Sequence, residues 1–179
     1  MERGKWDRAT AALQPVFDSA STVNLRLIGA AEFNAAVVAE GQKNWDEAEA
    51  RYLRSLEIRI AQEQTVLIVD SLAGMLRVAI EQGDHDAIRT LAHDIRHRLD
   101  SHGTDGIEHP GRLFVTLVRA WDAMRDMSCS RYYLEQGVAF VMERANRLDE
   151  PSHRTSYMEN VPAHRQLIAM AKDAGMLAA

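Results

Sequence analysis

Residues 43–53 read KNWDEAEARYL, and residues 4–13 read GKWDRATAAL. Both run polar, Trp, Asp, charged, Ala, and both pass into an amphipathic stretch. The phrase recurs along the chain. Trp6 and Trp45 mark its first two copies, His85 in HDAIRTLAHDI the third, and Met127 in MSCSRYYLEQGV the fourth. A turn signal precedes each: Gly4, Lys43-Asn44, Gly83-Asp84 and Arg125-Asp126. Small or apolar side chains follow each mark at steps of four and three: Ala9, Leu13, Val16; Ala48, Tyr52, Ser55; Ile88, Ala92, Ile95; Ser130, Leu134, Gly137. Those steps place each trio on one face of a helix. A repeat period of about 40 residues belongs to stacked helical arrays.

The stretches ahead of the turns are helical as well. Apolar residues recur through LIGAAEFNAAVVAEG, VLIVDSLAGMLRVAIEQG and PGRLFVTLVRAWDAMRD. In the last, Leu113, Phe114, Leu117, Val118, Trp121 and Met124 form a continuous stripe. EIRIAQEQ and SHGTDGIEHPG read as the links between one unit and the next, and no strand or hairpin signal appears. Pro151 and Pro162 sit where two closing helices would start, and Gly175 suits a helix C-terminus. The expectation is an all-α chain, an α-α superhelix of about 3.5 helical hairpins with right-handed drift. It comprises repeats over residues 1–148, the first incomplete, and capping helices over 149–179 of the same domain.

GKWDRA and NWDEAEARYLRSLEI resemble the tetratricopeptide repeat, and the resemblance spans roughly residues 4–148. The period exceeds the 34 residues of the standard repeat. It is closer to the longer-helix forms in kinesin light chains and in large bacterial regulators. The C-terminal wording ERA…R…VP…R…LIAMAK resembles the tails of helical-repeat regions in bacterial multidomain regulators that carry an ATPase or cyclase module. The resemblance implies a non-catalytic protein–protein interaction module, scaffolding or regulatory, within such a regulator. It also implies that the chain begins mid-repeat, because the first phrase lacks a helix before it. The alternative is a helical small-molecule sensor gating an attached output domain.

Composition fits a soluble globular chain: 179 residues, 46% apolar, four Pro and ten Gly. A net charge of −5 gives no general drive toward nucleic acid. No apolar run is long enough to span a bilayer and no signal core opens the chain, so a cytoplasmic location is expected. Cys129 is the lone cysteine, which removes intramolecular disulfides and cysteine zinc sites. His93, His97 and Asp100 in HDIRHRLD have ligand spacing, but they lie off the Ile88, Ala92, Ile95 stripe and read as solvated. His102, Asp105, Glu108 and His109 share the Gly-rich link and read the same way. No nucleophile elbow or phosphate loop occurs. The reading is therefore not an enzyme, with no cofactor and no metal.

In a tetratricopeptide-like unit the first helix of each pair lines a groove. That register selects Phe33, Asn34 and Val37, then Asp70, Ala73, Arg77 and Glu81, then Arg112, Thr116 and Arg119. The partner-binding set is Asn34, Val37, Asp70, Arg77, Arg112, Thr116 and Arg119. Three arginines suggest a protein or peptide partner with an acidic segment, against the simpler reading of surface ion pairs. Phe33, Val37 and Gly74 stand where chaperone-tail clamps of this family use polar contacts, so that ligand is not expected. The incomplete first unit should leave Trp6, Leu13, Val16 and Phe17 partly uncovered, favouring a homodimer through that end.

Overall fold

The computed structural model describes residues 3–18 and 24–177. The described residues form nine α-helices and no strand: α1 Arg3–Asp18, α2 Leu25–Gly41, α3 Trp45–Ala61, α4 Thr65–Gln82, α5 His85–His102, α6 Pro110–Ala123, α7 Met127–Asn146, α8 Pro151–Glu159 and α9 Pro162–Asp173. The chain divides into two compact units, Met1–Glu108 and His109–Ala179. No helix among the described residues is long and apolar enough to cross a membrane.

In the first unit, α2, α3, α4 and α5 begin at residues 25, 45, 65 and 85, an even spacing of twenty. One turn design produces it. Lys43, Glu63 and Gly83 each take a left-handed conformation, at φ of 60°, 53° and 72°. The next residue then donates its N–H to a carbonyl five residues back: Asn44 to Ala39, Gln64 to Arg59, Asp84 to Ala79, at 2.9–3.0 Å. This is the Schellman closure of a helix C-terminus. It satisfies orphan carbonyls and reverses the chain within three residues. Arg125 repeats it between α6 and α7 in the second unit (φ 60°, Asp126 N–H to Trp121 O 2.9 Å), and Gly175 closes α9 likewise (φ 67°, Met176 N–H to Ala171 O 2.8 Å). The stretch EIRIAQEQ is thus not a long link: α3 runs through Ala61, and only 62–64 turn. Gly4, too, lies inside α1 rather than in a turn.

Core stripes fall where the phrase places them. Ala48, Tyr52 and Ser55 of α3, Ile88, Ala92 and Ile95 of α5, and Ser130, Leu134 and Gly137 of α7 are all buried. Ala9, Leu13 and Val16 of α1 are half-buried, as are Trp6 and Phe17. The Trp6 ring lies on Gly41, where a Cβ would come within 2.3 Å of it. In the second unit Trp121 stacks on Tyr133 with centroids 6.4 Å apart. Gly137 lets Phe114 and Leu167 close over the α7 backbone, each 2.8 Å from where a Cβ would stand. Pro151 and Pro162 open α8 and α9 as their fixed φ favours. His164, which the sequence stripe did not select, is buried at the start of α9, with Nδ1 donating to the Tyr157 carbonyl at 2.9 Å.

Left-handed φ costs a side-chain-bearing residue roughly 1 kcal/mol or more, and the unfolded-state entropy of glycine cancels part of the gain from removing that strain. Lys43→Gly, Glu63→Gly and Arg125→Gly should each therefore stabilise by roughly 0.5 kcal/mol, while Gly83→Ala should lose roughly 1 kcal/mol. Urea denaturation of the four variants checks the order.

Candidate functional site

The residues selected for a groove do not share one environment. In the first unit, Asn34 is exposed on α2 and its side-chain amide donates to the Ala30 carbonyl at 2.8 Å. Val37 is half-buried against the cluster of Phe33, Ala36, Tyr52 and Val78. Asp70 and Arg77 are interior, 4% and 8% exposed. In the second unit, Thr116 is buried with its hydroxyl on the Arg112 carbonyl at 2.8 Å, and Arg112 and Arg119 are half-buried.

Arg77 is spent inside the fold. Its Nε and Nη2 donate to the two oxygens of Glu40 at 2.9 and 3.0 Å. Nη2 also donates to the Tyr52 hydroxyl at 3.0 Å, and Nη1 to the Ala73 carbonyl at 3.0 Å. Tyr52 in turn donates to Glu40 at 2.5 Å. Burial opposes the guanidinium charge, but Tyr52 and Glu40 outweigh it and raise the Arg77 pKa. The Tyr52 ring lies flat on Gly74, whose Cβ would sit 2.3 Å from it. Three helices, α2, α3 and α4, therefore meet at one charge-assisted knot.

A second polar seam runs between the same helices. Arg59, 1% exposed, donates from Nη1 to the Leu67 carbonyl at 2.6 Å and to Ser71 Oγ at 3.0 Å. Ser71 Oγ donates to Ser55 Oγ at 3.2 Å, and Ser55 Oγ to the Gly29 carbonyl at 2.8 Å. The Arg59 guanidinium also stands over the Phe33 ring, 4.6 Å from its centroid. Its Nε has no hydrogen-bond partner. Burial lowers its pKa, opposed by Glu108 (3.7 Å from Nη2) and Asp70. Asp70 accepts the Glu108 N–H at 3.0 Å, and Ile107 is buried, so the loop before α6 docks on α4. Asp105, Glu108 and His109 of that loop are exposed, as is His102 at the end of α5.

His93 and His97 are exposed on α5, and Asp100 faces Arg96 at 3.8 Å. Among the described residues no three His, Cys, Asp or Glu side chains converge as metal ligands would. Cys129 is half-buried and its N–H is capped by Asp126 at 2.9 Å.

One concavity of the first unit lies elsewhere, between α1, α2 and α3. It is a half-open cleft of about 160 Å³. Leu13, Phe17, Val38 and Ala39 give it apolar walls, and Gln14, Gln42, Glu47 and Arg51 a polar rim. Arg51 fixes one wall. Its guanidinium stands over the Phe17 ring at 5.2 Å and bridges Glu47 at 2.7 Å and the buried Glu32 at 2.9 Å. Burial works against the Arg51 charge, but the two carboxylates raise its pKa. Sequence reasoning selected Leu13 and Phe17 as partly uncovered and did not select Arg51.

Comparison with protein-family models, with curated proteins and with solved structures finds no match to this chain.

Arg77→Met leaves the Glu40 carboxylate buried without its Arg77 counter-charge and should destabilise by roughly 3 kcal/mol. Arg77→Met combined with Glu40→Leu and Tyr52→Phe should recover most of that loss, because the whole polar set is then replaced by apolar groups. Equilibrium unfolding of both variants reads the difference.

Proposed function

We propose that the chain is a non-catalytic protein–protein interaction module of the tetratricopeptide-like kind, serving as the recognition part of a larger regulator. The observation that carries this reading is the α1–α2–α3 cleft. At about 160 Å³ it is smaller than the 300–1,000 Å³ of sites that engulf a small molecule. It suits one anchoring apolar side chain of a protein partner, with the Gln14, Gln42, Glu47 and Arg51 rim meeting the flanking backbone. The evenly spaced hairpins support the same reading, because repeat modules present such surfaces on rigid helix pairs. The sensor alternative would need a larger enclosed apolar cavity.

The acidic ligand suggested by three arginines loses one of them, since Arg77 already holds Glu40. The cleft selects instead for an apolar anchor. Panning a random peptide library on the immobilised chain tests this. Enriched peptides should share one large aliphatic or aromatic residue, and Leu13→Arg should weaken them at least tenfold. Enrichment that ignores Leu13→Arg would remove the cleft from the account.

A further inference from the structure

The buried side of α3 is occupied by Ala48, Tyr52, Ser55 and Arg59. The opposite side is bare. Ala50, Arg54, Glu57 and Ala61 recur there at steps of four, three and four, all exposed, with Leu53 and Ile60 along one flank at 44% and 54% exposure. Two large aliphatic side chains thus stand half in water on one flank of a 17-residue helix, beside charged neighbours. The charges are arranged to match. Arg54 has a 68% exposed side chain, tethered by one bridge from Nε to Glu32 at 3.2 Å. Glu57 makes no ion pair or hydrogen bond among the described residues.

We propose that this face of α3 pairs with the same face of a second copy of the chain, the two helices antiparallel about a two-fold axis between Arg54 and Glu57. The sequence of this face is self-complementary in that register. Arg54 of each copy meets Glu57 of the other, so both charge pairs form at once. Ala50 of each copy meets Ala61 of the other, and small residues there let the backbones approach. On the flank, Leu53 of each copy lies beside Ile60 of the other, closing an apolar seam over the exposed aliphatics. A two-fold contact requires that one surface complement itself, and the order Ala50, Arg54, Glu57, Ala61 has that property. The bridge from Arg54 to Glu32 presets one guanidinium donor and leaves the others for the facing carboxylate.

The inference is independent of the cleft reading, because the cleft lies between α1, α2 and α3 and takes no part in this contact beyond its neighbour Arg51. Sedimentation velocity from low to several hundred micromolar chain tests it. The wild type should dimerise reversibly. Leu53→Asp should weaken the dimer at least tenfold without changing the unfolding midpoint measured at concentrations where the wild type is monomeric. Arg54→Glu and Glu57→Arg should each weaken it at least tenfold, and the two together should restore it to within about threefold of wild type, since like charges then become opposite again. Should Arg54→Glu disturb Glu32 and lower stability, Glu57→Arg and Ile60→Asp give the same reading away from that bridge. A chain that stays monomeric throughout overturns the proposal. So does a dimer indifferent to Leu53→Asp and Glu57→Arg, or a double variant no better than its singles in a chain that remains folded.

Discussion

The Arg77 guanidinium is the constraint on which the first unit depends. It sits in α4, yet its fork is filled by Glu40 at the end of α2 and by the Tyr52 hydroxyl in α3. Burying an ion pair is costly unless the geometry is close and the remaining donors are satisfied. Here both conditions hold, with three hydrogen bonds to the carboxylate and further bonds to the Tyr52 hydroxyl and the Ala73 carbonyl. The arrangement tolerates one register only. A shift of α4 by one residue would move Gly74 from beneath the Tyr52 ring and put a side chain where a Cβ already has no room. The polar knot thus contributes less to net stability than to which packing is chosen, and Gly74 enforces the same choice sterically.

The Arg59 seam on the same three helices follows the same logic, with serines in place of the carboxylate. Ser55 and Ser71 link the Gly29 carbonyl to Arg59, so α2, α3 and α4 are joined by hydrogen bonds at two levels. A hairpin pair held at two levels does not need its outer surface for stability. That leaves the α1 side free to form a cleft and the far side of α3 free to keep Leu53 and Ile60 in water.

Much of this was legible in the repeated phrase. The trios at four- and three-residue steps are buried in α3, α5 and α7, because helical periodicity alone decides which side chains face a neighbour. Extending the α3 trio by four residues reaches Arg59, a charged residue on a core stripe, and that signal could have announced the buried seam. What sequence could not supply was pairing across thirty-seven positions, from Glu40 to Arg77. Asp70, Arg77 and Thr116 looked like groove residues because polar side chains on a first helix normally face solvent; instead they are interior, satisfied by partners distant in sequence or by backbone carbonyls. The turn at 62–64 was misread as a longer link for a related reason: Glu63 adopts a conformation usually marked by glycine, so no punctuation showed.

Native-state hydrogen exchange tests most directly whether α2, α3 and α4 are one interlocked body. Amides along Ala36–Ala39, Tyr52–Arg59 and Leu72–Val78 should exchange with a common opening free energy. Glu40→Ala should lower all three by the same amount although the substitution lies at the end of α2. If α4 kept its protection while α2 and α3 lost theirs, the Arg77 knot would not be what holds these helices in register.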